Sequence, residues 1–159
     1  VNGGLRLADN VRAESLTTVN GSINVGDDGE ISDVVGAVNG RISLNRGTRV
    51  GDDVGNVNGQ IGVAGAEVGG DVTTVNGDIE LSDGGVVKGD VVVERPSNWS
   101  WGKEKSRKPR IVIGPGCRVE GTIRLEREVE LFISESAQVG GVSGEMTMDD
   151  AVRFEGDRP

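Results

Sequence analysis

Carboxylates are the most abundant reactive groups in this chain, with 26 Asp and Glu among 159 residues and no histidine. Without His, the commonest general base and metal ligand is missing. Paired acids can still cleave a glycosidic bond, and an acidic groove can serve a polysaccharide lyase. The acids here, however, are dispersed over positions that the pattern below places on outward faces and bends, which predicts a solvated surface. Asp27-Asp28 and Asp52-Asp53, with Asp71 and Asp90 in related positions, offer the oxygen donors that calcium prefers. Neither the EF-hand spacing nor the Gly-Gly-x-Gly-x-Asp nonapeptide is present, and Gly-Asp turn chemistry accounts for these pairs. Gly-x-Ser-x-Gly, P-loop and dinucleotide fingerprints are absent. No catalytic residue, no metal site and no cofactor is predicted, and the chain is read as a non-enzyme.

Two other features carry reactive or adhesive side chains. Cys117 is the single cysteine, so no disulfide forms within the chain. No basic or His partner is evident to lower its pKa, which predicts a structural thiol. The segment 94–110 holds both tryptophans, Trp99 and Trp101, with Arg95, Lys103, Lys105, Arg107, Lys108 and Arg110 against Glu94 and Glu104. Its local charge of +4 leaves −13 on the rest of a chain whose formal net charge is −9. Exposed Trp and Arg are typical of interface hot spots, so Trp99, Trp101, Lys103, Lys105, Arg107, Lys108 and Arg110 form a candidate binding loop for a glycan or a protein. The plainer reading folds the indole rings back over the body of the protein and pairs the cations with acidic neighbours.

The element that must position these residues is a repeat. Val-Asn-Gly recurs at Val1, Val19, Val38, Val57 and Val75, at spacings of 18, 19, 19 and 18. Each copy is followed by alternating aliphatics, such as Ile23/Val25, Ile42/Leu44, Ile61/Val63 and Ile79/Leu81. Alternation at period two marks a β-strand. A Gly/Asp/Asn bend follows, then a lone aliphatic (Ile31, Val50, Val68, Val87), a second bend, and an aliphatic three residues before the next tripeptide (Leu16, Val35, Val54, Val72). A fixed period with interchangeable units predicts an all-β solenoid, a single-stranded parallel β-helix with about 18–20 residues per coil and about seven to eight coils. Aliphatics should form columns inside, and Asn20, Asn39, Asn58 and Asn76 a ladder of hydrogen-bonded amides at one corner. Parallel crossovers favour the right hand. At the strand spacing of a sheet, the rod would be about 35 Å long.

A sixth tripeptide is due near 93, where the basic segment stands instead. Beyond it the pattern resumes at an offset of 32: Ile111/Ile113 answers Ile79/Leu81, Val119 answers Val87 and Ile123 answers Val91. The segment 94–110 therefore reads as a loop extruded from one corner of a single domain spanning 1–159. The stretch from Leu125 to Phe132 reads as further strand, and 144–159 as a C-terminal cap over the last coil.

The acidic balance argues against nucleic acid as a partner, since phosphates demand a basic face. No apolar run is long enough for a transmembrane segment. The chain begins at Val1, which leaves an upstream export signal open.

Residues 1–93, with their five Val-Asn-Gly coils, resemble a bacterial adhesin-like domain family of unknown function. Ile113-Gly-Pro-Gly-Cys-Arg-Val-Glu-Gly-Thr-Ile123, echoed by Ser134-Glu-Ser-Ala-Gln-Val-Gly140, is similar more loosely to the bactofilins, polymer-forming cytoskeletal β-helices. The loop 94–110 departs from the bactofilin pattern and would obstruct one flank of a smooth filament. The first resemblance implies export to the periplasm or cell surface, the second the cytoplasm, and neither implies catalytic residues. The resulting expectation is a structural, scaffolding or adhesin-like protein of a bacterial envelope, acting by surface presentation or by self-association through coil ends or a flank. The alternative is a glycan- or protein-binding module built on the Trp99/Trp101 loop.

Overall fold

The computed structural model describes residues 3–95 and 108–156. They form three parallel sheets, to each of which every complete coil contributes one short strand. The first sheet has eight strands: Leu5–Leu7, Ile23–Val25, Ile42–Leu44, Gln60–Ala64, Asp78–Ser82, Arg110–Ile113, Glu130–Ser134 and Val152–Phe154. The second has seven two-residue strands, from Arg12–Ala13 to Gln138–Val139. The third also has seven, among them Leu16–Asn20, Val35–Asn39, Val54–Asn58 and Val72–Thr74. The chain is thus a β-solenoid of about seven turns.

Register follows the repeat. Ile23 pairs with Ile42, Ile42 with Ile61, and Ile61 with Ile79. The interrupting segment causes no slip, because Ile79 pairs with Ile111, Val87 with Val119 and Val91 with Ile123. The aliphatic columns close the interior: Ile23, Ile42, Leu44, Val54, Ile61, Val63, Val68, Val72, Ile79 and Leu81 have no measurable exposure. Each such side chain is worth about 1.5–3 kcal/mol in burial, and the columns add up coil by coil.

Corners demand special residues. At the Asn-Gly corner Gly59 has φ +125°, and a Cβ there would run into the Gly40 carbonyl oxygen of the coil below. Only glycine combines that conformation with so close a backbone approach. At the bend after the first sheet, Asn10 (φ 61°) and Asp28 (φ 57°) occupy the left-handed region, which Asn and Asp tolerate better than other side-chain-bearing residues.

Three local features add to the pattern reading or differ from it. The valine of Val-Asn-Gly is not part of the core: Val19, Val38 and Val57 are 45%, 40% and 37% exposed. The neighbouring inward positions hold Thr18, Ala37, Asn56 and Thr74 instead, all buried. Three of these four are polar and bond the corner, where backbone groups turn inward. Thr18 Oγ1 donates to the Gly3 carbonyl (3.2 Å), Thr74 Oγ1 to Asn56 Oδ1 (2.7 Å), and the Gly77 N–H to Thr74 Oγ1 (3.0 Å). Second, 125–132 is not one strand. Ile123–Leu125 ends the run on the third sheet, Glu130–Ser134 starts the next on the first, and the buried Arg127 lies between them. Third, the segment from 144 on carries one more ladder strand: Val152–Phe154 pairs with Glu130–Ser134 and buries Phe154. A short 3₁₀ turn, Met148–Asp150, precedes it, with the Thr147 N–H donating to the Asp150 carboxylate at 2.8 Å.

Gly59→Ala is expected to lower the free energy of unfolding by about 2 kcal/mol or more, read from the urea midpoint. Gly62→Ala is its control. A Cβ at Gly62 meets nothing nearer than the Ile42 carbonyl at 3.9 Å, so that variant is expected to be neutral or more stable.

Candidate functional site

Of the predicted binding loop, Trp99, Trp101, Lys103, Lys105 and Arg107 lie outside the described residues. Lys108 and Arg110 are anchored to the solenoid. Lys108 Nζ pairs with Glu128 at 3.2 Å. The Arg110 guanidinium sits 4.9 Å from the Phe132 ring centroid, and its backbone N–H donates to Asp78 Oδ1 at 2.9 Å. On the other side of the insertion, Arg95 pairs with Glu145 at 3.6 Å. These cations bind their own chain, and such exposed pairs are each worth under about 1 kcal/mol.

The corner aspartates have backbone work. Asp53 Oδ1 accepts the Asp71 N–H (2.8 Å), Asp71 Oδ1 that of Asp90 (2.7 Å), and Asp90 Oδ1 that of Thr122 (2.8 Å). The carboxylate of one coil thus satisfies a donor that the bend in the next coil removes from the sheet ladder. Among the described residues no group of three or more Cys, Asp or Glu is placed to hold a metal ion. Cys117 is buried, and burial pushes its thiol pKa up, the opposite of nucleophile activation.

The second sheet carries a charge ladder that the repeat search did not single out. Arg12, Glu30, Arg49 and Glu67 stack in register, with contacts of 3.4 Å between Arg12 and Glu30 and 3.8 Å between Arg49 and Glu67. Lys88 adds a 2.8 Å bond to Glu67. That hydrogen bond holds the Glu67 carboxyl below, and the Lys88 ammonium above, their ordinary pKa values. The signal was present as opposite charges recurring at the coil period, and alternation of sign disfavours a register slip.

The four asparagines form a continuous amide chain. Asn39 Nδ2 donates to Asn20 Oδ1 (3.0 Å), Asn58 to Asn39 (2.8 Å) and Asn76 to Asn58 (3.2 Å). Every donor points towards the earlier coil. Arg127 closes the open end, donating to Asn76 Oδ1 at 2.8 Å and to the Val75 carbonyl at 3.3 Å.

Beside this chain lies an apolar face that none of these structural roles uses. Val19, Val38 and Val57 form a wall next to the amides, and Thr17, Gly36, Gly55 and Thr73 form the adjacent floor. Together they make an open groove of about 450 Å³. The two glycines distinguish it. Unlike Gly59, neither has a positive φ. A Cβ would meet nothing nearer than 3.8 Å at Gly36 or 3.4 Å at Gly55. Glycine inside a strand costs about 0.5–1 kcal/mol relative to Ala, and the backbone here does not require it. What the glycines leave is space, as at sites where another molecule approaches a strand. The groove closes towards the C-terminal coils, where Thr73 is followed in register by the buried Val92 and then by Arg124.

Beyond the other margin, in the bend that precedes each floor strand, stands a row of acids. Glu14, Asp33 and Asp52 stand three residues before Thr17, Gly36 and Gly55. They stack coil on coil, since the Asp33 N–H donates to the Glu14 carbonyl (2.8 Å) and the Asp52 N–H to that of Asp33 (3.3 Å). Among the described residues none of the three forms an ion pair. Asp53 first, then Asp33, raise the Asp52 pKa by like-charge repulsion. The outward phase of the groove residues was legible by counting in twos from Leu16, Val35 and Val54.

Two outcomes follow. Gly36→Val with Gly55→Val is expected to fold with equal or greater stability, by about 0.5–1 kcal/mol per site, measured by thermal and urea unfolding. For the charge ladder, Lys88→Ala is expected to bring the Glu67 carboxyl back up towards its ordinary value in an NMR titration. The sign follows: a lowered pKa contributes stability above the unfolded value and loses it as pH falls through the folded one. The variant should therefore show a shallower loss of stability on the acid side.

No family model, curated protein or solved structure matches the chain, so the face has to be understood from its own geometry and chemistry.

Proposed function

We propose that this protein is a non-enzymatic interaction scaffold, a rigid β-solenoid that presents one flat repeating face to another molecule in the manner of an adhesin or structural β-helix. The observation that carries the reading is the Val19/Val38/Val57 face with its Gly36/Gly55 floor. It exposes apolar surface in a row, and its glycines serve no backbone need. Rows of exposed apolar side chains on an otherwise polar surface mark contact sites. The engagement of the corner carboxylates by backbone N–H groups supports a non-catalytic role. The recurring Val-Asn-Gly coils, similar to those of adhesin-like domains, favour the bacterial envelope as the place of action, with the cytoplasm the alternative that the bactofilin-like stretches favour.

The test uses the whole chain and a triple variant, Val19→Ser, Val38→Ser and Val57→Ser, whose substitutions lie on the surface. Self-association is followed by light scattering over a concentration series, and envelope binding by cosedimentation with isolated bacterial envelopes. The wild type is expected to show one or both, and the triple variant, equally folded by circular dichroism, to lose it. A wild type that stays monomeric and in the supernatant overturns the proposal, as does turnover of a polyuronate or another glycan.

A further inference from the structure

The groove has two unlike sides, and the difference identifies what fits between them. One side is apolar, the Val19/Val38/Val57 wall; beyond the other lies the acid row Glu14, Asp33 and Asp52, where Asp33 accepts from the Ser15 hydroxyl (3.2 Å) and no cation among the described residues pairs with any of the three. From Thr17 to Thr73 the floor crosses four strands, about 14 Å, the length of four or five extended residues. An extended peptide alternates its side chains left and right. Lying along the groove, it would send one set over the valines and the other towards the carboxylates. The acid row stands in the bend before these strands, three residues from the floor and so within about 10 Å of it, a gap that a Lys or Arg stem spans while burying its methylenes.

A second copy of this chain fits the face less well. Each copy carries a net charge of −9, so approach of two such faces is opposed by long-range repulsion. Four short strands on a face about 14 Å tall also bury well under the roughly 800 Å² per partner of a standard interface. A neutral glycan would leave the acid row unmatched.

From this charge complementarity we infer that the groove is a docking site for a short extended segment of a partner protein in which Lys or Arg alternates with aliphatic residues. The inference rests on the reading of this face as the contact surface and names the chemistry of its occupant. The glycines make room for the segment's backbone, the valines take its aliphatic side chains and the acid row takes its cations.

The probe is a blocked pentapeptide, Lys-Val-Lys-Val-Lys, titrated into the ¹⁵N-labelled full chain, with Ser-Val-Ser-Val-Ser and Lys-Ser-Lys-Ser-Lys as controls. Saturable shifts at the Gly36 and Gly55 amides are expected with the first peptide alone. Affinity should fall about fivefold or more between ~0.05 and ~0.5 M NaCl, as screening requires. Asp33→Asn with Asp52→Asn should weaken binding about fivefold or more at low salt, and Gly36→Val with Gly55→Val should abolish it while the fold persists. The inference is overturned if the first peptide gives no saturable shift, if the serine–valine peptide or a neutral oligosaccharide binds equally well, or if the same amides move only as the protein itself is concentrated. If the glycine-filling pair removes self-association or envelope binding while the peptide fails to bind, the contact face stands and its cationic occupant falls. If neither peptide binding nor contact depends on the glycines, both fall.

Discussion

Every strand among the described residues is two to five residues long and has no partner within its own coil. Its backbone N–H and C=O groups are satisfied by the coil before and the coil after. That single constraint, bonding along the rod at a fixed repeat, governs the rest. A coil that changed length between bends would shift its strands out of pairing and carry its aliphatics to the wrong face. The corners are accordingly conservative in chemistry. Gly59 stands where the backbones of neighbouring coils nearly touch, Asp53, Asp71 and Asp90 replace a hydrogen bond that the bend removes, and Asn, Asp or Gly takes the left-handed turns. Core packing stabilises the solenoid, but the corner chemistry keeps the strands of successive coils in register.

Much of this was open to reading because a solenoid writes its architecture along the sequence in plain periodic form. The tripeptide spacing identified the coil, the Ile/Leu/Val alternation identified the strands, and the offset of 32 beyond the insertion predicted the observed pairing of Ile79 with Ile111. What escaped has physical causes. Arg127 is buried at an irregular bend, and no period foretells that its guanidinium finishes the asparagine chain. Phe154 and its strand lie in a stretch whose pattern is broken by a 3₁₀ turn, so their return to the first sheet is a tertiary effect. The outward valines were visible in the phase of their own strands, but the inward neighbours are Thr, Ala, Asn and Thr. An interior position filled by polar residues makes sense only once the corner carbonyls beside it are seen.

The same inversion accounts for the candidate site. At the Asn-Gly corner hydrophilic groups face in and aliphatic ones face out, the reverse of an ordinary strand. The polar interior keeps the sharp turn satisfied. The apolar exterior, beside two glycines that the backbone does not require and a row of acids in the neighbouring bend, leaves a surface with direction across it: greasy at one margin and negative beyond the other. Elsewhere on the rod charged groups pair across coils, as Arg12 does with Glu30 and Lys88 with Glu67, whereas the acids of this strip meet no cation among the described residues.

The asparagine chain has one further property. Its amides point the same way, and the guanidinium of Arg127 sits at the carbonyl end, where the aligned dipoles concentrate negative potential. Turning over any one amide in the interior of the chain would set two NH₂ groups face to face on one side and two oxygens on the other. A lone fault therefore costs two bonds at once, and the row switches as a block or not at all. The corner is in this sense polarised like a small ferroelectric, with a built-in head and tail that distinguish the two ends of a rod whose coils otherwise look alike.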